Sequence, residues 1–264
     1  MKKARIDAVL ADRGLFPSRS AAAGAVRAGE VRVGADGPVA LRPSQLVDPE
    51  APLIVAEGRR FASRGGIKLE NALEALEIDV AGRECLDVGA STGGFTDCLL
   101  QRGAARVIAA DVAYGQLDLR LREDPRVYAV ERLNARELQR VDLPFVPSLA
   151  TVDVSFISLT KVLPAVARCL EPPGDVLAMV KPQFELGRDR VGKGVVRDPA
   201  ARREAVLMVA QAARELGLSV RGFASSGLPG PKGNRETFVW CGGSGGLEVE
   251  DLETAVAAAV EEDG

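Results

Sequence analysis

Four polar side chains that could carry acid–base chemistry stand at the ends or edges of predicted strands: Lys68, Asp153, Lys181 and Glu236. Any one of these charges could simply mark the end of a strand. The chain has only seven lysines against 27 arginines, so arginine supplies most of the cationic surface. A lysine at a predicted site therefore indicates a function that arginine cannot perform, which is to lose a proton.

The 264-residue chain contains no histidine, and this removes whole classes of chemistry. It excludes Ser-His-Asp and Cys-His catalysis and every zinc site that needs an imidazole ligand. The four cysteines are scattered and never stand in CxxC spacing, so we expect no metal site. Any proton that moves near neutral pH must be moved by Lys, Asp, Glu, Tyr, Cys or a cofactor.

The strongest local motif is a glycine-rich loop at residues 87–96, which follows a predicted strand and opens a predicted helix. Its glycines permit a tight turn and a close approach of the backbone to a ligand. Asp111 stands eighteen residues after Gly93, where an acid can accept hydrogen bonds from both ribose hydroxyls of a nucleoside cofactor. Asp87, ahead of the glycines, would repel a pyrophosphate. These features favour a cofactor with cationic or amino groups, such as S-adenosylmethionine, over a plain strand-to-helix turn.

The elements that must position these residues alternate from residue 66 onward. Strands are predicted at 85–88, 107–110, 127–130, 149–154, 176–180, 220–224 and 237–241. Helices are predicted at 68–77, 95–102, 116–122, 159–170 and 200–216. This alternation predicts an α/β fold with a doubly wound, mostly parallel sheet. Because ligands of such sheets bind at the carboxyl ends of the strands, the glycine loop and the charged side chains should share one rim.

The first 58 residues have a different pattern, typical of a small α+β module. Two short helices are predicted within 4–29, and strands at 31–33 and 53–55. We expect domains at 1–58 and 66–264, joined by a linker at 59–65.

Charge is unevenly distributed along the chain. Residues 242–264 hold seven acids and no Lys or Arg, so the net charge of −3 becomes +4 for the rest. Residues 1–32 hold seven basic residues against three acids, also +4. The basic front predicts a polyanion site, or else a solvated helix face. The glycine-rich basic segment 187–197 is expected to be a mobile loop that contacts a polyanion, or an ordinary connection.

Composition favours a cytoplasmic protein. No apolar run reaches the length of a membrane-spanning helix. The basic first residues are followed by Asp7 and Asp12 with no apolar stretch between, so they are not expected to be a signal peptide. The scattered cysteines are typical of reduced thiols.

Taken together, the motifs resemble the TlyA-type rRNA 2′-O-methyltransferases, a family also known as hemolysins. The matching motifs cover nearly the whole chain and begin at Ser63, Asp87, Asp111, Asp153, Lys181 and Pro229. The resemblance implies a Rossmann-like, FtsJ-like methyltransferase domain that uses S-adenosylmethionine. It implies an amino-terminal αL RNA-binding module of the kind found in a ribosomal protein. The implied substrate is a cytidine ribose in small- or large-subunit rRNA, or both, with ribosomal subunits as partners. The sequence leaves the oligomeric state open, and a monomer is the expectation.

The resemblance also implies a set of site residues. Its Lys-Asp-Lys-Glu tetrad corresponds to Lys68, Asp153, Lys181 and Glu236. Its cofactor positions correspond to Asp87, Gly89, Ala90, Ser91, Thr92, Gly93, Gly94, Phe95, Thr96, Asp111 and Asn134. The RNA contacts that we expect are Lys2, Lys3, Arg5, Ser18, Arg19, Arg32, Arg64, Arg188, Arg190 and Lys193.

In a hydroxyl methyltransferase the ribose 2′-hydroxyl must lose its proton. Lysines can act as bases where burial and neighbouring positive charge favour the neutral amine. Lys181 is the candidate base, with Lys68 as the neighbouring cation. Asp153 would orient the lysines, and Glu236 would hold the amine or the hydroxyl in line. A non-catalytic ribosome-binding factor and a membrane-active hemolysin are the alternatives.

Overall fold

A computed structural model of the protein describes most of the chain. The described residues are 3–16, 18–27, 29–34, 37–40, 42–55, 60–192, 194–230, 232–243 and 248–261, without the side chains of 20, 21, 27 and 188. Lys2, Lys193, the first position of the expected linker and the side chain of Arg188 therefore lie outside the description. The chain divides into two compact units, Met1–Arg64 and Gly65–Gly264.

The smaller unit has two helices and two antiparallel strand pairs. Its elements in chain order are β1 (Ala4–Arg5), α1 (Ile6–Asp12), α2 (Arg19–Arg27), β2 (Val31–Val33), β3 (Leu46–Val47) and β4 (Leu53–Val55). β1 pairs with β3, and β2 pairs with β4. The apolar stripe of α1 packs against α2 in a small core that includes Ile6, Leu10 and Val26. The two predicted helices and two predicted strands are confirmed, whereas the two-residue strands β1 and β3 were not predicted.

The larger unit contains seven strands and eight helices among its described residues. The strands are β5 (Glu84–Val88), β6 (Arg106–Asp111), β7 (Val127–Glu131), β8 (Leu149–Val152), β9 (Asp175–Val180), β10 (Ser219–Ser225) and β11 (Thr237–Gly242). The helices are α3 (Gly65–Ala75), α4 (Gly94–Gln101), α5 (Leu119–Arg122), α6 (Leu163–Cys169), α7 (Pro182–Glu185), α8 (Arg188–Val191), α9 (Pro199–Glu215) and α10 (Leu252–Glu261). Two 3-10 turns lie at Arg140–Asp142 and Leu159–Lys161.

These strands form one sheet in the order β10-β11-β9-β8-β5-β6-β7. β7, β6, β5, β8 and β9 run parallel, and β11 runs antiparallel to both β9 and β10. Every residue of β8 and β9 is buried, as expected for central strands covered on both faces. The predicted doubly wound, mostly parallel α/β fold is confirmed. The chain leaves β5 toward β6 and later returns beside it as β8, so the order reverses between β5 and β8.

Three predicted segments differ from the structure. The helix expected at 116–122 begins only at Leu119, because the Asp118 side chain caps it by accepting from the Arg120 backbone N–H. The helix expected at 159–170 is divided into a 3-10 turn and α6, with a proline in the first turn of α6. The segment 187–197, expected to be a loop, contains the short helix α8.

Among the described residues, no helix is both long enough and apolar enough to cross a membrane.

Candidate active site

The glycine loop follows β5 at the carboxyl edge of the sheet, and two of its glycines are required there. Gly89 has a φ of +87°, and a Cβ at this position would lie 2.5 Å from the carbonyl oxygen of Asp153. Gly93 has a φ of +93°, and its Cβ would lie 2.3 Å from a methyl group of Leu121. Any other residue would be strained at both positions and would also clash. The loop after β5 therefore lies directly against the chain that leaves β8.

Asp87 lies beneath this loop and is fully buried. Thr96 donates a hydrogen bond of 2.7 Å from its hydroxyl to Asp87 Oδ2, and Thr151 approaches Asp87 Oδ1 at 3.4 Å. Burial, opposed by these hydrogen bonds and reinforced by the Asp153 charge, raises the pKa of Asp87 to about 7. The carboxyl group therefore supports the loop from below and joins β5 to the start of α4.

Asp111 ends β6 and orders the other side of the loop. Its Oδ2 accepts from the Ser91 backbone N–H at 2.8 Å, and its Oδ1 accepts from the Ala113 backbone N–H at 2.7 Å. Each carboxylate oxygen has two acceptor sites, so one on each oxygen is left for a ligand. A small pocket beside Asp111 is also lined by Ser91, Gln116 and Glu131.

The lining of this pocket decides which kind of cofactor it can accept. It contains two carboxylates, Asp111 and Glu131, and no described lining residue is basic. A phosphate group would be repelled there, whereas a ribose diol could donate hydrogen bonds to Asp111. These residues therefore fit a nucleoside cofactor without phosphates.

The four charged side chains singled out in the sequence form two ion pairs. Lys68 on α3 contacts Glu236 Oε2 through its Nζ, and these two side chains are 8% and 2% exposed. Lys181 Nζ lies 2.5 Å from Asp153 Oδ1, in an approach too oblique for a hydrogen bond, and donates to the Ser155 hydroxyl at 3.0 Å. Each lysine thus has its own carboxylate, whereas Asp153 was expected to orient both lysines.

Strand register brings the two pairs to the same rim. Thr237 of β11 pairs with Val180 of β9, so Glu236, one residue before, stands opposite Lys181, one residue after. Neighbouring strands lie about 5 Å apart, so the two side chains start from adjacent backbone positions. Asp153 follows β8, the other neighbour of β9. The pairs therefore lie beside the glycine loop, which contacts the Asp153 carbonyl.

The segment after β8 contains functional candidates that sequence reasoning missed. Phe156 is 92% exposed with a φ of +64°, and its ring centroid lies 5.1 Å from that of Phe184. Glu185 accepts from the Ser158 hydroxyl at 2.5 Å and from the Leu159 backbone N–H at 2.9 Å. Burial raises the pKa of Glu185. An exposed phenylalanine in a left-handed conformation leaves no signal in the sequence, because its ring partner Phe184 lies on α7, far along the chain.

Asn134, a predicted cofactor residue, and Arg190, a predicted RNA contact, each contact other protein groups. Asn134 is exposed and makes local turn contacts with Arg136 and Glu137, and it does not line the pocket beside Asp111. Arg190 forms a two-point ion pair with Glu204.

In the smaller unit, the buried carboxylate of Asp7 joins two predicted RNA contacts. Arg5 donates to Asp7 at 3.0 and 2.7 Å, and Arg19 lies 3.5 Å from the same carboxylate. The pKa of Asp7 is lowered, chiefly by the Arg5 hydrogen bonds. Both guanidinium groups remain half exposed. The remaining predicted contacts of this unit are not brought to that carboxylate: Lys3, Ser18 and Arg32 are exposed, and Arg64 is half-buried.

Comparison with known proteins gives two domain matches. Residues 61–243 match the FtsJ-like methyltransferase family, and residues 4–52 match the S4 domain. The chain is 49% identical over 266 residues to the 16S/23S rRNA (cytidine-2′-O)-methyltransferase TlyA of Mycobacterium tuberculosis, covering 99% of this chain and 98% of that protein.

Two further relatives carry the hemolysin name. Hemolysin A of Brachyspira hyodysenteriae is 36% identical, over 88% of this chain and 97% of that protein. A solved structure described as a hemolysin from Streptococcus thermophilus superposes with a TM-score of 0.75 at 38% identity, covering 100% of this chain and 97% of that one.

Proposed function

Because the chain belongs to the TlyA-type family of FtsJ-like rRNA methyltransferases, we propose that it methylates the ribose 2′-hydroxyl of a cytidine in ribosomal RNA. The methyl donor is S-adenosylmethionine. The observation that carries this proposal is the presence of two lysine–carboxylate pairs beside the glycine loop, in which Lys68, Lys181 and Glu236 are buried and Asp153 is partly exposed. Burying three ionisable groups at one rim is costly unless they are paired, so such a cluster is a frequent mark of a catalytic site.

The cofactor residues follow from the pocket beside β6. S-adenosylmethionine would supply an electrophilic methyl carbon on a sulfonium centre, with a neutral thioether as the leaving group. Asp111 would accept hydrogen bonds from the ribose hydroxyls, with Ser91 and Gln116 beside it. Asp87 would act from beneath, by holding Thr96 and the start of α4 in place. The remaining loop residues, Gly89 to Phe95, would shape the space around the methionine part of the cofactor.

Lys181 would accept the proton of the 2′-hydroxyl. A neutral amine has two N–H bonds and one lone pair. In the structure Lys181 donates one N–H to the Ser155 hydroxyl and lies beside Asp153, which would accept the second N–H once the amine turns toward it. The lone pair would then be free to take the hydroxyl proton while the oxygen bonds to the methyl carbon and the carbon–sulfur bond breaks.

The second pair would act on the same hydroxyl from the other side. The Lys68 Nζ contacts Glu236. In the pairing of β11 with β9, Glu236 stands opposite Lys181. An ammonium group there would stabilise the negative charge that develops on the ribose oxygen. Glu236 would keep that ammonium in place, which is the reason for its own burial.

The S4-like unit would bind the RNA through the arginines that Asp7 holds together. Phosphate contacts of this kind position a protein on RNA without reading its sequence. Since ribosomal RNA is the proposed substrate, the protein would act in the cytoplasm, on one or both ribosomal subunits.

Replacing Lys181 with methionine tests the base assignment. We expect Lys181→Met to abolish methyl transfer to ribosomal subunits while S-adenosylmethionine affinity stays within about twofold, because the amine that accepts the proton would be lost and the pocket beside Asp111 kept. Lys161→Met is the matched control, since Lys161 is exposed on a 3-10 turn, and it should transfer at the wild-type rate.

Transfer of labelled methyl groups and calorimetric titration of the cofactor are the two measurements. Loss of cofactor affinity in Lys181→Met would contradict its role as a base. A wild-type protein that binds subunits without methylating them would instead be a non-catalytic ribosome-binding factor. Mapping of 2′-O-methyl groups in rRNA from cells with and without the protein would identify the nucleotide.

A further inference from the structure

Two loops flank the proposed catalytic rim, and one buried amide joins them. We propose that Asn234 is a positioning residue, and that the loops it joins present Arg197, Lys232 and Arg235 as a phosphate-binding surface for the substrate RNA. We call these three residues the basic rim. This inference rests on the proposed function and extends it, because Lys232 and Arg235 were not expected to contact RNA and Arg197 was expected to do so only as part of the segment 187–197.

The joining contacts use both ends of the Asn234 carboxamide. Its Oδ1 accepts from the Val196 backbone N–H at 2.8 Å, and its Nδ2 donates to the Gly194 carbonyl at 2.8 Å. The residue is only 3% exposed. A buried amide with both a donor and an acceptor bond to one backbone segment fixes that segment in position and orientation, because loss of either bond leaves a buried polar group unsatisfied.

The same loop carries Glu236, two residues after Asn234. The Gly230 backbone N–H donates to the Asn234 carbonyl at 2.8 Å, and the Ser226 backbone N–H donates to the Glu236 carbonyl at 3.0 Å. A Cβ on Gly230 would lie 2.7 Å from Glu236 Oε1. The loop is therefore closed tightly around the Glu236 carboxylate. A shift of Asn234 would move the acid that holds Lys68.

The basic residues stand directly beside these contacts. Arg197 follows Val196 in the chain, and Arg235 follows Asn234, so the hydrogen bonds that join the loops bring the two arginines' backbones together. A Cβ on Gly194 would lie 3.7 Å from Lys232 Nζ, which places that ammonium group against the other loop. All three side chains are exposed.

The charge of the basic rim is free to act on a ligand. Among the residues that the structure describes, none of the three basic groups forms an ion pair with a carboxylate. Arg190 on α8 differs, because it is held by Glu204. The adjacent acid Asp198 caps α9 by accepting from the Ala200 backbone N–H.

Exposed cations on two joined loops beside a site for a ribose hydroxyl fit the phosphates that flank that ribose. Each nucleotide places a phosphate on either side of its sugar, so a strand seated with its 2′-hydroxyl at Lys181 must run its backbone over the adjoining loops. The positive side chains of the basic rim would bind the negatively charged phosphates of that backbone. Such contacts do not distinguish one base from another. It would therefore set affinity and orientation of the RNA, and leave the choice of nucleotide to other contacts.

The first test neutralises the basic rim at the surface. We expect the triple variant Arg197→Gln, Lys232→Gln, Arg235→Gln to raise the KM for ribosomal subunits about tenfold near 0.1 M salt and to lower the salt dependence of RNA binding by a slope of about 2 to 3, since each phosphate contact contributes about 0.9. kcat and S-adenosylmethionine affinity should stay within about twofold. The matched control Arg126→Gln removes an arginine at the amino end of β7, the opposite edge of the sheet, and should change neither quantity.

The second test removes the joining amide. Asn234→Ala should raise the KM for the subunits as the triple variant does and also lower kcat, because Glu236 loses its fixed position, while cofactor affinity is retained. A purely structural role would instead reduce cofactor affinity and thermal stability together.

The outcomes separate this inference from the proposed function. If the wild-type protein transfers methyl groups and the triple variant keeps the wild-type KM and salt slope, the basic rim is refuted and the function stands. If Asn234→Ala keeps both kinetic constants, or loses cofactor affinity, the positioning role is refuted. If the wild type itself transfers nothing to subunits or to rRNA, the proposed function fails first.

Discussion

Replacing Asp87 with asparagine is expected to stabilise the larger unit at neutral and alkaline pH. The carboxyl group is fully buried, and its pKa is raised from 3.8 to about 7. A carboxyl whose pKa is raised on folding destabilises the folded state at every pH above its unfolded pKa, because folding then requires either uptake of a proton or burial of the charge. The penalty is therefore absent below about pH 4 and grows as the pH rises to about 7, where it levels off.

The magnitude follows from the difference between the two pKa values. A difference of about 3 pKa units, at about 1.4 kcal/mol per unit, corresponds to roughly 4 kcal/mol at pH 7 and above. Asparagine has nearly the same shape and no charge. It can accept from Thr96 through its oxygen and donate to Thr151 through its nitrogen, since both hydroxyls can rotate. Most of that penalty should then be recovered.

Urea denaturation between pH 4 and 8.5 measures this effect, without added cofactor. The chain has a single tryptophan, Trp240 in β11, so its fluorescence reports unfolding of the larger unit alone. Asp87→Asn should unfold at higher urea than the wild type at pH 8, and the two curves should converge toward pH 4. Asp124→Asn is the control of opposite sign, because the Arg126 hydrogen bond lowers the pKa of Asp124 and its loss should destabilise. If Asp87→Asn is no more stable than the wild type at pH 8, folding does not raise the pKa of the Asp87 carboxyl group.

Three further predictions concern the loops at the rim. Gly89→Ala should destabilise the larger unit by at least about 2 kcal/mol in urea and abolish cofactor binding in a titration, because its Cβ would meet the Asp153 carbonyl at a positive φ; unchanged binding would mean that the loop can move away. Asp111→Asn should weaken S-adenosylmethionine binding about tenfold, measured by calorimetry, since an amide offers one acceptor where the carboxylate offers two; an unchanged affinity would place the ribose elsewhere. Phe156→Ala should raise the KM for RNA about tenfold with cofactor affinity unchanged, because an exposed ring beside Lys181 can stack on a base, and Phe156→Tyr should retain the wild-type KM; equal KM values for both variants would exclude stacking.

The sheet was predictable because its signal is local. Each strand of the larger unit is a short apolar run bounded by turn residues, and the helices between them show the spacing of one buried face. The predictions that were wrong concern the start of one helix and the existence of very short helices. Asp118 decides where α5 begins through a local capping bond from the Arg120 backbone N–H, a signal that the sequence carries and the prediction did not use. α7 and α8 are four residues each, too short to show a periodic pattern.

The structure brings the four predicted charges Lys68, Asp153, Lys181 and Glu236 to one rim, while their catalytic roles stay predictions. Their pairing was not predictable from the sequence. Which lysine contacts which acid depends on where α3 places Lys68 and on the pairing of β8 with β9, and these contacts join segments far apart in the sequence. The role of Asn234 was equally hidden, because its two backbone partners lie about forty residues earlier in the chain.

The contact between Lys68 and Glu236 joins residues 168 positions apart, and this separation sets the order in which the enzyme can assemble. A ribosome adds residues one at a time, so a nascent chain possesses β5 to β7, and with them the proposed cofactor pocket, long before Glu236 is synthesised. Contacts of such long range form late, because closing so large a loop costs entropy before any contact is gained. β11 must also insert between β9 and β10 before the acid can stand opposite Lys181. A chain still being translated would therefore contain the strands of the proposed cofactor pocket before it could form the Lys68–Glu236 pair.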